Sequence, residues 1–121
     1  MEKKATLVLG ASDNPARYSY LAVQRLKTHG HSVVAIGKRK GMVSGVEIGT
    51  EPRPDVEVDT VTLYLNPGHQ RAYYDYILSL HPRRIIFNPG TENPELEELA
   101  ESKGILAMEA CTLVLLSTGQ Y

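Results

Sequence analysis

Residues suited to binding a phosphate-bearing ligand are concentrated near the start of the chain. An apolar run ends at Leu9, and small and turn-forming residues follow it at Gly10, Ala11, Ser12, Asn14 and Pro15. A strand, a small-residue turn and a helix in this order bring backbone N–H groups and a helix N-terminus to a phosphate. The usual dinucleotide spacing Gly-x-Gly-x-x-Gly is absent, because Ser12 and Pro15 occupy its later positions. The stretch therefore predicts a nucleotide-type ligand that is held differently from NAD.

A run of three cations follows the second apolar segment. Lys38, Arg39 and Lys40 stand between Gly37 and Gly41. An NAD site needs an acidic residue here, roughly 20 residues past the glycine turn, to hold the ribose hydroxyls. Cations suit a phosphorylated ribose or a pyrophosphate instead, because charge-assisted bonds to phosphate are strong. NADP and coenzyme A both remain candidates, and the competing interpretation is a solvated surface loop.

Alternating strand and helix patterns predict the scaffold for these loops. Short apolar runs, mostly continuous as in strands covered on both faces, occur at 5–9, 32–36, 59–65, 84–87 and 105–108. Helical patterns lie between them at 16–29, 67–80 and 95–103. This alternation is typical of an α/β domain with a mostly parallel sheet of about five strands.

Local signals refine the boundaries of these elements. Asn66-Pro67 and Asn93-Pro94 predict helix starts, because Asn caps a helix well and Pro suits its first position. The Gly- and Pro-rich segment 37–59 predicts a long loop, with at most a short extended piece at 42–48. The segment 111–121 favours a helix or an irregular cap, with a last edge strand as the alternative. In the first helix we expect Tyr18 on the buried stripe.

Polar turn residues follow four of the predicted strands. Besides the two loops already described, Asn66 and Pro67 follow the third strand, and Asn88 and Gly90 follow the fourth. Ligands bind outside the carboxyl ends of strands in such sheets. Ordinary turn chemistry explains each loop alone, but four together at one edge favour a ligand site.

Composition excludes several other classes of function. The 121 residues carry a net charge of −1, which gives the molecule no overall attraction to nucleic acid or to an anionic membrane. Cys111 is the single cysteine, which excludes an internal disulfide framework and a multi-cysteine zinc site. No apolar stretch approaches the roughly 20 residues of a membrane span. The first residues of the sequence also lack the apolar region of a signal peptide. We expect one cytoplasmic domain over residues 1–121.

The segment from Leu9 to Pro15, followed by Tyr18-Ser19-Tyr20, resembles the opening of the small bacterial CoA-binding proteins. These are Rossmann-like three-layer domains related to the CoA-binding domain of the succinyl-CoA synthetase α-subunit. The resemblance continues, in the same order, through Leu65–Gly68, Phe87–Gly90 and Met108–Cys111.

The resemblance implies binding of coenzyme A or an acyl-CoA. It assigns the phosphate turn to Gly10, Ser12 and Pro15, and the ribose phosphate or pyrophosphate to Lys38. The adenine or ribose would lie beside Asn66 and Pro67, and the pantetheine arm beside Asn88 and Gly90. The loop with Lys38 and Arg39 departs from the Asn-Pro pair frequent in the small proteins and is closer to the synthetase version, which uses lysine.

Candidate catalytic groups are few. None of the four histidines has catalytic or metal-ligand spacing; His29 and His31 flank a glycine turn, where we expect them solvated, and His69 reads as a helix-start residue. We expect Cys111 to be a small buried apolar residue.

The phosphohistidine domain of a synthetase is absent from this sequence. We therefore expect a CoA-binding module without catalysis of its own, with a homodimer or a partner protein left open. The alternatives are an NADP-binding oxidoreductase-type domain and an interaction domain that has lost its ligand.

Overall fold

A computed structural model describes residues 2–121 as a sheet between two layers of helices. The strands are β1 (Thr6–Ala11), β2 (Val33–Gly37), β3 (Gly41–Val43), β4 (Val46–Gly49), β5 (Thr60–Leu63), β6 (Arg84–Phe87) and β7 (Leu106–Glu109). The helices are α1 (Tyr18–Thr28), α2 (Pro67–Gln70), α3 (Tyr74–Ser79), α4 (Pro94–Ser102) and α5 (Thr112–Ser117), with a 3₁₀ turn at Arg71–Tyr73 joining α2 to α3.

The seven strands are ordered β3-β4-β2-β1-β5-β6-β7, and only the β3–β4 pair is antiparallel. β1 lies near the middle of the sheet and pairs with both β2 and β5. The predicted mostly parallel α/β, Rossmann-like architecture is confirmed. All five predicted strands are present, with ends shifted by at most two residues.

Two of the strands lie where the sequence predicted a long loop. β3 and β4 form a hairpin whose turn places Ser44 at φ +50° and Gly45 at φ +80°, as a tight two-residue turn requires. Val46 and Ile48 are buried and Glu47 between them is exposed, the alternation of a half-covered strand. The loop prediction is wrong over 41–49, where only the short extended piece was anticipated, and the sheet has seven strands rather than about five.

Each face of the sheet has its own apolar core. One cluster joins Leu7 and Leu9 of β1 to Ile77 of α3 and Leu96 of α4. The other joins Val8 of β1 to residues of α1 and α5 that include Val23, Leu26 and Leu116. Burial on both faces explains why the strands read as continuous apolar runs.

The helix starts follow the predicted capping chemistry at two places. Asn66 Oδ1 accepts a hydrogen bond from His69 N at 3.0 Å, and Asn93 Oδ1 accepts one from Leu96 N at 3.3 Å. α1 differs from expectation, because Tyr18 is 71% exposed in its first turn and does not join the buried stripe. Among residues 2–121, no helix combines the length and the apolar character needed to cross a membrane.

A polar cluster closes the amino edge of the sheet, opposite the loops discussed above. Arg84 donates hydrogen bonds to the main-chain oxygen of Tyr121 at 2.7 Å and to Thr60 Oγ1 at 2.9 Å. The Tyr121 ring lies 4.9 Å from the ring of His31, which is buried. The prediction that His31 is solvated is wrong, because Tyr121 covers it. This burial, with the charges of Lys3 and Lys4, lowers the pKa of His31 below 6.5.

Candidate functional site

Two adjoining cavities lie at the carboxyl ends of β1, β2 and β5, and together they form what we call the carboxyl-edge cleft. The larger has a volume of about 740 Å³ and the smaller about 300 Å³. Both are lined by Gly10, Lys38, Leu65 and His69. The cleft therefore brings together the loops after the first three of the predicted strands.

Gly10 opens the first turn because no other residue fits its position. Its φ is +95°, and a methyl group there would lie 2.9 Å from the carbonyl carbon of Tyr64. The pairing of β1 with β2 shifts register between Leu9 and Ala11. A left-handed glycine at this bulge turns the chain away from the sheet and into the cleft.

Hydrogen bonds within the turn fix its course to α1. Ser12 Oγ accepts from Asn14 N at 3.1 Å, and Asn14 Oδ1 accepts from Ala16 N at 3.0 Å. Ser12 and Asn14 line the larger cavity together with Ala11, whereas Pro15 lines neither cavity. The side chains of Ser12 and Asn14 thus shape the turn as well as facing the cleft.

The start of α1 faces the larger cavity without a capping side chain. Arg17 occupies the capping position, and no side-chain cap bond forms there within the described residues. The first N–H groups of a helix have no intrahelical partner, and they carry the positive end of the helix dipole. Tyr18 and Ser19 of this first turn line the cavity. This end of α1 is suited to an anion.

Three cations share the wall of the larger cavity. Arg17, Lys38 and Arg39 line it, all three exposed, and none forms an ion pair with another residue of the segment 2–121. The structure thus brings to this wall two of the three cations that follow the second strand, and adds Arg17 to them. Lys40 lines neither cavity.

The smaller cavity has mainly apolar walls. They include Ile36 at the end of β2, Leu65 after β5, and Ala72 and Tyr73 of the 3₁₀ turn. Lys38 lies on the part of the wall that both cavities share. The cleft therefore offers an apolar slot next to a cationic surface.

Buried amides hold the loop after β5 in place. Gln70, which is fully buried, donates from Nε2 to the carbonyl oxygens of Leu65 and Thr91, each at 2.8 Å. Asn93 Nδ2 donates to Gln70 Oε1 at 2.9 Å. Asn66 lines the larger cavity while its side chain caps α2, and Pro67 lines neither cavity.

Asn88 and Gly90 lie away from both cavities. Asn88 is 2% exposed; its Nδ2 donates to Thr62 Oγ1 and Leu63 O, and its Oδ1 accepts from Thr112 N at 2.8 Å. The N–H of Gly90 donates to Glu92 Oε1 at 2.9 Å. Asn88 therefore joins strands to α5, and a carboxylate of the same loop already engages the Gly90 amide.

Sequence reasoning missed much of the cavity lining. The additional wall residues are Ala16, Arg17, Tyr18, Ser19, Ile36, Tyr64, Leu65, Ala72 and Tyr73. Arg17 and Tyr18 follow the predicted turn directly, so their proximity to it was the available signal. Tyr64 and Tyr73 come from elements whose packing is set over long range, and no local pattern identifies them.

Candidate catalytic chemistry in the cleft is sparse. His69 lines both cavities, whereas Cys111, partly buried at the start of α5, lines neither. A metal site needs a group of at least three His, Cys, Asp or Glu side chains, and residues 2–121 contain no such group. The arrangement is suited to binding a ligand that combines anionic groups with a flat apolar part.

Solved structures share this fold along nearly the whole chain. An uncharacterized protein is 52% identical, with a TM-score of 0.96 and complete coverage of both chains. A hypothetical protein from Pyrococcus horikoshii is 20% identical, with a TM-score of 0.86 over 97% of this chain and 84% of that one. A protein from Thermus thermophilus is 18% identical, with a TM-score of 0.81 over 98% and 91%.

The sequence also matches one family. A family model described as a CoA binding domain matches residues 4–117. No curated protein shows significant similarity to the chain. The matched segment contains every residue that lines the carboxyl-edge cleft.

Proposed function

Because the chain belongs to this family of CoA binding domains, we propose that it binds coenzyme A or an acyl-CoA in the carboxyl-edge cleft. One observation carries the placement of the ligand. The uncapped start of α1 and the cations Arg17, Lys38 and Arg39 line one cavity, and these cations form no ion pair within residues 2–121. An anionic ligand supplies the charge that this wall lacks.

The pyrophosphate is assigned to the first turn and the start of α1. The backbone N–H groups that begin α1 donate to phosphate oxygens, and the helix dipole favours their negative charge. Gly10 lets the turn pass close to Tyr64, because any side chain at this position would strike the backbone of Tyr64. This assignment uses the residues from Gly10 to Ser19 as a single surface.

Lys38 and Arg39 are assigned to the ribose phosphate. Both line the larger cavity, on the loop that leads from β2 to β3. A guanidinium forms paired hydrogen bonds with phosphate, and an ammonium acts as a compact charge beside it. The two residues together hold a dianionic group better than either alone.

The adenine is assigned to the smaller cavity. A purine ring gains from leaving water, and Leu65 and Ala72 offer apolar contacts there. Lys38, on the shared wall, keeps the ribose phosphate between the base and the pyrophosphate. The pantetheine arm then runs along the larger cavity past Tyr64 rather than beside Asn88 and Gly90. No covalent step is assigned to the chain.

Calorimetric titration with coenzyme A, dephospho-coenzyme A and NADP tests this function. We expect coenzyme A to bind most tightly, and dephospho-coenzyme A roughly tenfold more weakly because it lacks the group assigned to Lys38. Failure to bind coenzyme A at millimolar concentration would refute the proposal. Tighter binding of NADP would support the oxidoreductase-type alternative instead.

A further inference from the structure

One carboxylate stands among the cations of the carboxyl-edge cleft. Asp13 lines the larger cavity together with Arg17, Lys38 and Arg39. It forms no ion pair with these or any other residues in the segment 2–121. A negative charge on the wall of an anion site weakens binding of any phosphate placed next to it, so its position bears on which anion the cleft accepts.

Asp13 lies between a local turn and the end of the loop that follows β2. The hydrogen bond from Asn14 N to Ser12 Oγ closes a small turn around it. On the other side its carboxyl group packs against Gly41, where a methyl group would lie 2.7 Å from Asp13 Oδ2 and 3.0 Å from its Cβ. The missing side chain at Gly41 thus makes the space that Asp13 occupies, at the end of the loop carrying Lys38 and Arg39.

The ribose assigned to this loop presents two chemically different groups. In coenzyme A the 3′ oxygen carries a phosphate and the 2′ oxygen is a free hydroxyl, whereas in NADP the 2′ oxygen carries the phosphate. A carboxylate accepts a hydrogen bond from a hydroxyl, as the acidic residue of an NAD site does. The same carboxylate repels a phosphate.

We infer that Asp13 selects the position of the ribose phosphate, accepting a hydrogen bond from a free 2′-hydroxyl and repelling a 2′-phosphate. This inference rests on the proposed function, since it requires the ribose to lie between the first turn and Lys38. Lys38 and Arg39 attract either isomer, and Asp13 distinguishes between them. Specificity of this kind depends on a repulsive element as much as on an attractive one.

Two isomeric ligands isolate this effect. Adenosine 3′,5′-bisphosphate and adenosine 2′,5′-bisphosphate have the same composition and differ in the position of one phosphate. We expect the wild-type protein to prefer the 3′,5′ isomer by at least about tenfold in calorimetric titration. In Asp13→Asn the preference falls to less than about threefold, mainly because the 2′,5′ isomer binds more tightly.

Asp75→Asn is the matched control. Asp75 is exposed on α3 and lines neither cavity. Either substitution changes the net charge from −1 to 0, because each replaces one carboxylate by a neutral amide. We expect Asp75→Asn to retain the wild-type preference between the isomers, so a changed preference in Asp13→Asn reflects position and not total charge.

The outcomes separate this inference from the function on which it rests. If the wild-type protein binds neither coenzyme A nor either bisphosphate, the proposed function fails and the inference with it. If coenzyme A binds but the wild-type protein binds both isomers equally, the inference alone is overturned. It is overturned as well if Asp13→Asn tightens binding of both isomers by the same factor, since the carboxylate then acts only as a general repulsive charge.

Discussion

Gly37 and Ala11 are in contact through their backbones where β2 and β1 end. They are paired in the sheet, and a methyl group on Gly37 would overlap the carbonyl oxygen of Ala11 and lie 3.2 Å from Ile48 Cγ2. A backbone atom cannot move aside as a flexible side chain does. We therefore expect Gly37→Ala to force the strand ends apart and to lower the free energy of unfolding by about 2 kcal/mol, measured by urea denaturation.

Gly49→Ala is the control for this substitution. Gly49 ends β4, and a methyl group added there would meet no atom within 4 Å. Its effect on the free energy of unfolding should stay within about 0.5 kcal/mol. Equal losses in the two variants would show that strand glycines as such, and not the contact with Ala11, determine the cost.

Lys38→Ala should weaken binding of coenzyme A roughly tenfold and make the affinity less dependent on salt. The same substitution should have little effect on dephospho-coenzyme A, because the ligand then lacks the phosphate that Lys38 would contact. Titrations of both proteins with both ligands form a double-mutant cycle that measures this coupling. Lys40→Ala removes an equal charge from the same loop outside the cavities, and we expect it to leave the affinity unchanged.

Asn88→Ala should reduce stability and leave ligand affinity unchanged. The substitution leaves the N–H of Thr112 and the acceptors on Thr62 and Leu63 without their buried partner. We expect the free energy of unfolding to fall by about 3 kcal/mol, while the folded fraction binds coenzyme A as the wild-type protein does. Thermal denaturation and calorimetry at low temperature measure the two quantities separately.

Asn66→Ala should reduce both stability and ligand affinity. It removes the cap of α2 at an exposed position, which costs about 1 kcal/mol. Because Asn66 lines the larger cavity, this variant should also bind coenzyme A more weakly. A loss of affinity in Asn88→Ala with none in Asn66→Ala would contradict the positions assigned to these two residues.

His31 should make the protein less stable in weak acid. Burial lowers its pKa from 6.5 in the folded state, so the unfolded chain binds a proton at a higher pH than the folded chain does. The stability due to neutral His31 is complete above pH 6.5 and is lost as the pH falls through the lowered pKa. The loss is measured as the free energy of unfolding in urea, at a series of pH values from about 7 down to about 5, which span the ordinary pKa of histidine.

His31→Asn should flatten that pH dependence. The amide oxygen takes the place of Nδ1, which accepts from Lys4 N at 2.9 Å, and it does not titrate. His81 is exposed and has a φ of +46°, a conformation that Asn tolerates, so His81→Asn is a control that should keep the wild-type slope. A slope that survives in His31→Asn would assign the acid sensitivity to other groups.

Features that depend on only a few neighbouring residues could be predicted from the sequence. Asn66 and Asn93 cap their helices as expected, because a cap needs only the residues of one turn. The parallel sheet followed from apolar runs alternating with helical ones. The hairpin at 41–49 was less visible, because its strands contain only three and four residues and glycines surround them.

Features that depend on distant contacts were not predictable in the same way. His31 is next to a glycine turn, yet Tyr121, 90 positions later in the sequence, buries it. Asn88 has the sequence of a turn residue, but its amide is occupied by partners on β5 and α5. Tyr18 fits a helical stripe, but it lies in the first turn of α1 and remains 71% exposed.

The buried hydrogen bonds of Gln70 and Asn93 have a consequence for how this protein changes through evolution. They hold the loop after β5, which forms part of the cleft wall, through the main-chain oxygen of Leu65, and they join this loop to Thr91. The side chains of Arg17 and Arg39 are exposed on other parts of the wall and form no ion pair within residues 2–121. We therefore expect substitutions at those two positions to alter ligand preference at little cost to folding, so that relatives with the same backbone can differ in what they bind.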